Sequence, residues 1–107
     1  MPVTAAIEPP AIRCELTRQV TAGTVSLTGL VFTTDPRSGT YQLRVVKNGP
    51  SGSSVLNQGG AFQTVPPQAS AVGHLSFSVE VGANYKAHLK VASGEISAEC
   101  EDGHDRL

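Results

Sequence analysis

The 107-residue sequence contains no tryptophan, and only 5% of its residues are aromatic and 16% charged. No apolar run approaches the roughly 18 residues of a membrane-spanning helix, so we expect no membrane insertion. No basic and then apolar N-terminal segment marks a signal peptide. The net charge of -1 gives no overall attraction to nucleic acid or an anionic membrane. Any electrostatic function must therefore come from a local patch.

The sequence also lacks the spacings that catalytic and metal sites require. It has three histidines, His74, His88 and His104, and they are scattered. No His-x-Glu, His-Glu-x-x-His or Cys-x-x-Cys pattern occurs, and no Gly-Lys-Ser/Thr follows the glycine-rich residues 49–54. We therefore expect no enzymatic activity, no metal and no cofactor.

What the sequence has is strict alternation between Gly73 and Glu101. Apolar residues at every second position predict strands with one face on a core. Three strands follow from this pattern, with the inward residues Leu75, Phe77, Val79 and Val81, then Tyr85, Ala87, Leu89 and Val91, then Ile96, Ala98 and Cys100.

Ser93-Gly94 is typical of a two-residue hairpin turn between the second and third of these strands. Such a turn predicts a register with apolar residues opposite each other and with opposite charges paired on the solvent face. The predicted pairs are Val91 with Ile96, Leu89 with Ala98, Ala87 with Cys100, Lys86 with Glu101 and His88 with Glu99.

Alternation also predicts strands over residues 12–20, 24–34 and 41–46, with Arg44 pointing outward. Residues 48–60 are either a mobile loop or two turns around a short edge strand, and residues 61–65 a further short strand ended by Pro66-Pro67. Seven to eight short antiparallel strands predict an all-β, immunoglobulin-like β-sandwich, with Tyr85 as its corner tyrosine bonded to nearby backbone. We expect an extended arm over 1–11, one domain over 12–101 and a tail over 102–107.

Cys14 and Cys100 both fall on inward positions near opposite ends of the chain. Two such cysteines are either small buried hydrophobes in a reducing compartment or a disulfide in an oxidising one. We favour the disulfide, which would tie the first strand to the last.

A basic face is predicted where the strand of Arg44 neighbours the strand of Lys86, His88 and Lys90, with Lys47 nearby. It is either a solvated sheet face balanced by Glu99 and Glu101 or a surface that engages a polypeptide.

The order from Tyr41 to Glu101 resembles the periplasmic curli-inhibitor family of CsgC and CsgH type, and most nearly its CsgH branch. The resemblance rests on the strand with Arg44, the Ser-Gly-Ser-Ser and Asn-Gln-Gly segment (51–60), His-Leu-Ser-Phe-Ser (74–78) and Tyr-Lys-Ala-His-Leu-Lys-Val-Ala-Ser-Gly (85–94). It implies a small, monomeric periplasmic sandwich, its signal peptide removed, that engages curli amyloid subunits transiently and keeps them soluble. It also implies a client-binding face, which Arg44, Lys86 and Lys90 match. Lys47 is assigned to the same face because it lies near Arg44 in the sequence.

The chain departs from the CsgC type, whose members carry a Cys-x-Cys pair where Tyr41 and Leu43 stand here, so redox chemistry is not carried over. Two other functions stay open from the residues alone. One is a structural or adhesive immunoglobulin-like module of a surface assembly. The other is a thiol-redox accessory protein using Cys14 and Cys100, although reactive cysteines usually include an exposed one.

Overall fold

The computed structural model describes residues 11–104, which form seven antiparallel strands in two sheets. Among these residues no helix is long and apolar enough to cross a membrane. The strands are β1 (Ile12–Thr21), β2 (Thr24–Thr33), β3 (Ser38–Gly49), β4 (Gly52–Gln63), β5 (Ser70–Ser78), β6 (Asn84–Ser93) and β7 (Ile96–His104).

A three-stranded sheet in the order β1-β2-β5 packs on a four-stranded sheet in the order β4-β3-β6-β7. Their alternating inward residues form the core, because one face of each strand is apolar. This arrangement confirms the predicted immunoglobulin-like β-sandwich. The largest fully buried side chains are those of Val25, Leu27, Val31, Leu43, Val45, Val72, Leu89 and Val91.

Two neighbouring glycines, Gly29 on β2 and Gly73 on β5, have specific structural roles. A Cβ at Gly29 would lie 2.5 Å from the backbone oxygen of Val72 on β5 and 2.8 Å from Leu89 Cδ2 of the other sheet, so only glycine fits there. The β2–β5 register shifts at this point, since Thr28 pairs with His74 and Gly29 with Val72. Gly73, with φ of 75°, is the extra residue of this bulge. The bulge therefore lies on β5, beside Gly29 of β2.

Residues 48–60 are not a loop. They form the end of β3, a two-residue turn at Pro50-Ser51 and most of β4, which runs unbroken to Gln63 and pairs with β3 along its whole length. The two short strands expected here are thus one strand, and the count is seven. β5 also begins at Ser70, earlier than predicted, and ends at Ser78, so that Val81 lies in a connection with 90% exposure instead of in the core.

The predicted β6–β7 register is wrong by two residues. The observed pairs are Ser93 with Ile96, Val91 with Ala98, Lys90 with Glu99, Leu89 with Cys100 and His88 with Glu101. Ser93 stays in β6 because it is buried and its hydroxyl donates to Ser38 O at 2.7 Å. The turn is Gly94-Glu95, with Gly94 at φ of 60° in the first position, as a type II′ turn requires.

The ends of the domain also differ from expectation. β7 continues to His104, three residues past the expected boundary at Glu101. At the other end, Ala11 O accepts a hydrogen bond from Thr34 N at 3.2 Å. The rest of the predicted arm and residues 105–107 of the predicted tail lie outside the described residues.

Cys14 and Cys100 form a disulfide between β1 and β7, with Cα atoms 5.9 Å apart. These two strands belong to different sheets and have no backbone ladder between them. The bond therefore links the two sheets along one side of the sandwich. The predicted pairing of the first strand with the last is confirmed.

We expect the Cys14→Ala/Cys100→Ala double variant to lose about 2–4 kcal/mol of unfolding free energy, since the bond closes a loop with a sequence separation of 86. Urea unfolding monitored by circular dichroism measures the loss. The variant Ala71→Ser, at an exposed position of the same sheet, is a matched control that should unfold at the wild-type midpoint. A double variant as stable as wild type would contradict a structural role for the bond.

Candidate protein-binding face

The outer face of the four-stranded sheet carries the predicted basic residues. Arg44 of β3 and Lys86 and Lys90 of β6 are exposed, and His88 is half-buried among them. All four have the parity opposite to the core residues of their strands, which points their side chains outward. We call Arg44, Lys86, His88 and Lys90 the basic strip.

Strand pairing brings the basic strip together. Arg44 is directly opposite His88, and Val46 and Gln42 lie opposite Lys86 and Lys90. Directly opposite residues in an antiparallel pair have Cβ atoms about 4.5–5.5 Å apart. Lys86 and Lys90 therefore lie on either side of His88 along β6, with Arg44 beside the middle of the strip.

The two strands that flank the strip differ in charge. On β7, Glu99 is opposite Lys90 and Glu101 is opposite His88. On β4, Asn57 is opposite Arg44, and the whole strand is uncharged. The face thus changes from acidic at the β7 edge, through basic in the middle, to neutral at the β4 edge.

Most of the strip's charge is not neutralised within the protein. His88 Nε2 lies 3.5 Å from Glu99 Oε1, a diagonal contact that the observed register allows. In the part of the chain that the structure describes, neither Arg44, Lys86 nor Lys90 forms a salt bridge. Two shallow depressions, of about 560 and 490 Å³, lie on this face beside Lys86 and Lys90. Such a surface suits the side chains of a polypeptide that lies across the sheet.

Lys47, the fourth residue assigned to client binding, is not part of the strip. It has the parity of the core residue Val45, and its Nζ donates to Ser78 O of the other sheet at 2.9 Å. Its charge is directed to the end of β5 and helps to hold the sheets together.

A second polar cluster joins the sheets beyond the disulfide. Tyr85 is buried, its hydroxyl donates to Asp102 Oδ2 at 2.6 Å, and Arg18 Nη1 donates to the hydroxyl oxygen at 2.9 Å. The expected hydrogen bond to backbone is therefore replaced by two to side chains. The Tyr85 ring packs edge-on against Phe77, with centroids 5.3 Å apart.

Burial of the hydroxyl raises the pKa of Tyr85 above its ordinary value, and the hydrogen bond to Asp102 raises it further against the opposing effect of Arg18. The same contact with Tyr85, and the charge of Asp102, raise the pKa of Arg18. The cluster therefore favours a neutral phenol between a guanidinium and a carboxylate.

Sequence reasoning missed Arg18 and Asp102, although a signal was present. Arg18 continues the parity of Cys14 and Leu16, and Asp102 continues that of Ala98 and Cys100. The next inward position on each strand, two residues further along the chain, is therefore a charged residue. The two charges lie on opposite sheets, and each needs a polar partner.

Comparison with known proteins places this chain in a family. The model of the CsgH protein family matches residues 13–103, which include every strand residue of the two sheets except the outermost ones of β1 and β7. No curated protein sequence is significantly similar to the chain.

Among solved structures, the CsgH protein of R. palustris is 31% identical, with a TM-score of 0.71 over 84% of this chain and 89% of the other. The E. coli curli protein CsgC is 16% identical, with a TM-score of 0.74 over 84% and 96%. A β-glucuronidase of Bacteroides uniformis aligns 91% of this chain with 14% of its own at a TM-score of 0.54 and 11% identity. The last two likenesses show the sandwich fold alone.

The protein is thus a small, disulfide-linked immunoglobulin-like sandwich. On the family match and the identity to its R. palustris member, the chain belongs to the CsgH family. The resemblance drawn from residues 41–101 is confirmed.

We expect Tyr85→Phe to lower the unfolding free energy by about 1–2 kcal/mol, because it removes a hydroxyl that is hydrogen-bonded to two charged groups. Tyr41→Phe is the matched control, since within residues 11–104 the Tyr41 hydroxyl has no hydrogen-bond partner. Urea midpoints measure both. Equal midpoints for the two variants would contradict the assigned role of the cluster.

Alkaline pH should act through the same hydroxyl. Because its pKa is raised in the folded state, the stabilisation is fully present below the ordinary value of 10.0 and is lost as pH rises through the folded pKa. In Tyr41→Phe protein, Tyr85 is the one remaining tyrosine of the two in the sequence. Its tyrosinate absorbance should have a midpoint above 10, and a midpoint at or below 10 would refute the cluster as described.

Proposed function

We propose that this protein is a periplasmic, non-enzymatic chaperone that, as a monomer, binds curli amyloid subunits transiently and delays their aggregation. The basic strip carries the contact. A client, here, is a curli subunit in an early, β-rich aggregating state.

Membership of the CsgH family supports a role connected with curli, because the E. coli protein that shares the fold is itself a curli protein. The Cys14–Cys100 disulfide supports an oxidising compartment such as the periplasm, since such bonds persist there and are rare in the cytosol.

One observation favours binding through the sheet face over a merely solvated face. Arg44, Lys86 and Lys90 project from adjacent strands and form no salt bridge in the described part of the chain, and of the three only Lys90 has an acidic residue, Glu99, directly opposite it. Unpaired charges of one sign in a row attract acidic groups and speed encounter without tight binding.

Such contact has a direct effect on amyloid growth. Amyloid extends when strands add to exposed strand edges. A protein that binds an early aggregate, even briefly, prevents further strands from adding to its exposed edges. Because exposed charge pairs are individually weak, the complex is transient.

We expect the triple variant Arg44→Gln/Lys86→Gln/Lys90→Gln to remain folded, with its stability changed by only about 0.5 kcal/mol, and to lose most of the delay it imposes on aggregation. The delay caused by wild-type protein should also shrink between about 0.01 and 0.5 M salt, because screening lengths fall from about 30 to 3–5 Å over that range. Dye fluorescence of an aggregating curli subunit, with the protein well below equimolar, measures both.

The matched control is Arg13→Gln/Gln19→Glu/Thr21→Glu, which lowers the net charge by the same three units but on the outer face of β1. It should delay aggregation as wild type does. A folded triple variant of the strip that is as active as wild type at low salt contradicts the assignment of the face. A wild-type protein that leaves the lag time unchanged contradicts the proposed function itself.

A further inference from the structure

Each sheet has two edge strands, and natural sheets protect such edges because their unpaired backbone groups invite another strand. The edges are β1 and β5 in one sheet and β4 and β7 in the other. The four differ in how they are protected.

β1 and β7 lie along the same side of the sandwich and are joined there by the disulfide and by the salt bridge of Arg18 with Asp102, whose Nη1 and Oδ2 atoms are 3.8 Å apart. Both strands also carry charged residues, which disfavour strand addition. These are Arg13, Glu15 and Arg18 on β1, and Glu99, Glu101 and Asp102 on β7.

β5 is protected by a side chain that imitates a strand. Gln58 Nε2 donates to His74 O at 3.2 Å, and Gln58 Oε1 accepts from His74 N at 2.7 Å. The amide therefore satisfies both backbone groups of His74. The bulge at Gly73 further interrupts this edge.

From Ser53 to Ala61, β4 has none of these devices, although at its C-terminal end Gln63 O accepts a hydrogen bond from Ser70 Oγ at 2.6 Å. Its twelve residues include no charged residue and no proline, and its register with β3 has no bulge. Residues 52–55, 57 and 59–61 are all exposed, on both faces of the strand. The strand is about 40 Å long at 3.4 Å per residue.

Alternation in an antiparallel ladder decides which backbone groups of β4 are free. Gly49 and Gly52 close the two-residue turn into β4, so Gly52 and every second residue after it bond to β3. The backbone groups of the intervening residues point away from the sheet. They belong to Ser53, Val55, Asn57, Gly59 and Ala61.

We propose that the β4 edge from Ser53 to Ala61 is the docking site for an extended segment of the client, which adds to the four-stranded sheet as a fifth strand. This deepens the proposed function and rests on it for the identity of the client. The segment is poor in charge where it meets β4 and carries an acidic residue on the outer face of the sheet.

Charge complementarity indicates this occupant. Asn57 is the β4 residue opposite Arg44, so an added strand lies two strand spacings, about 10 Å, from the Arg44 backbone. An arginine and a glutamate side chain together span that distance. A second copy docked symmetrically, β4 against β4, would bring no acidic residue to pair with Arg44.

The edge can be blocked without removing a bond to β3. Asn57→Pro deletes an N–H that points away from the sheet, and proline is tolerated on edge strands for that reason. Asn57→Thr is the matched control, because it changes the same side chain but keeps the N–H. Among residues 11–104 the Asn57 side chain has no hydrogen-bond partner, so neither change breaks a side-chain hydrogen bond.

Two measurements test the site. The first is aggregation of a curli subunit by dye fluorescence with wild type, Asn57→Thr and Asn57→Pro, after thermal melts confirm that the variants are folded. The second is amide hydrogen exchange in wild-type protein with a ten-residue peptide of alternating Thr and Gln with one central Glu. The five outward amides, of Ser53, Val55, Asn57, Gly59 and Ala61, should exchange about tenfold more slowly at a peptide concentration ten times its Kd.

We expect Asn57→Thr to delay aggregation as wild type does and a folded Asn57→Pro to lose at least half of the delay. A folded Asn57→Pro that is fully active overturns the edge site and leaves the proposed function intact. If Asn57→Pro does not fold, or if wild type itself does not delay aggregation, the amide exchange decides. Slowed exchange of the five amides then supports the site, and unchanged exchange overturns it. If amide exchange slows as the protein concentration rises, with no effect of the peptide, a second copy of the protein occupies the edge and the proposal is overturned.

Discussion

The structure depends on closure of the sandwich along one side. β1 and β7 belong to different sheets and share no ladder, so side chains join them: the Cys14–Cys100 disulfide and the cluster of Arg18, Tyr85 and Asp102. A core of mostly valine and leucine with few aromatic residues buries little area per side chain. Covalent and charged contacts at the rim compensate for this small core. The opposite side, between β4 and β5, is joined by hydrogen bonds from the Gln58 amide to His74 and from the Ser70 hydroxyl to Gln63 O, which do not use the outward backbone groups of β4 from Ser53 to Ala61.

Much of this fold could be predicted from the sequence, because burial on one face forces a period of two. The strands β1, β2 and β3 and the inward residues of β6 followed from that period alone. β4 could not be predicted in this way, since glycine, serine, asparagine and glutamine give no apolar alternation. Its strand conformation is imposed by pairing with β3, as expected when tertiary context outweighs intrinsic preference. The β6–β7 register failed for a similar reason, because Ser93 is held in β6 by the distant Ser38 carbonyl.

The residues of the candidate site also differ in whether the sequence alone could reveal them. Arg44, Lys86 and Lys90 were found because parity and the neighbourhood of β3 and β6 suffice to place them. Lys47 was assigned by nearness in sequence, although its parity directs it inward to the Ser78 carbonyl. The Gln58 bridge to His74 was beyond prediction, because it joins strands of different sheets through a side chain in a segment with no periodic pattern. Contacts between two sheets depend on how the sheets pack together, so the sequence pattern of a single strand does not predict them.

In the proposed interaction with a client, the basic strip and the β4 edge contribute different physical terms. Charge on the basic strip acts over a screening length of about 8 Å at physiological salt, so it raises the rate of encounter and orients an acidic segment. Backbone pairing along β4 requires contact and tolerates many side chains, because the ladder uses groups that every residue except proline possesses. A client that enters an extended state presents both an acidic face and unpaired backbone, whereas a folded protein has already satisfied its backbone groups. The combination therefore selects for conformation more than for sequence, which is the discrimination that an inhibitor of strand addition needs.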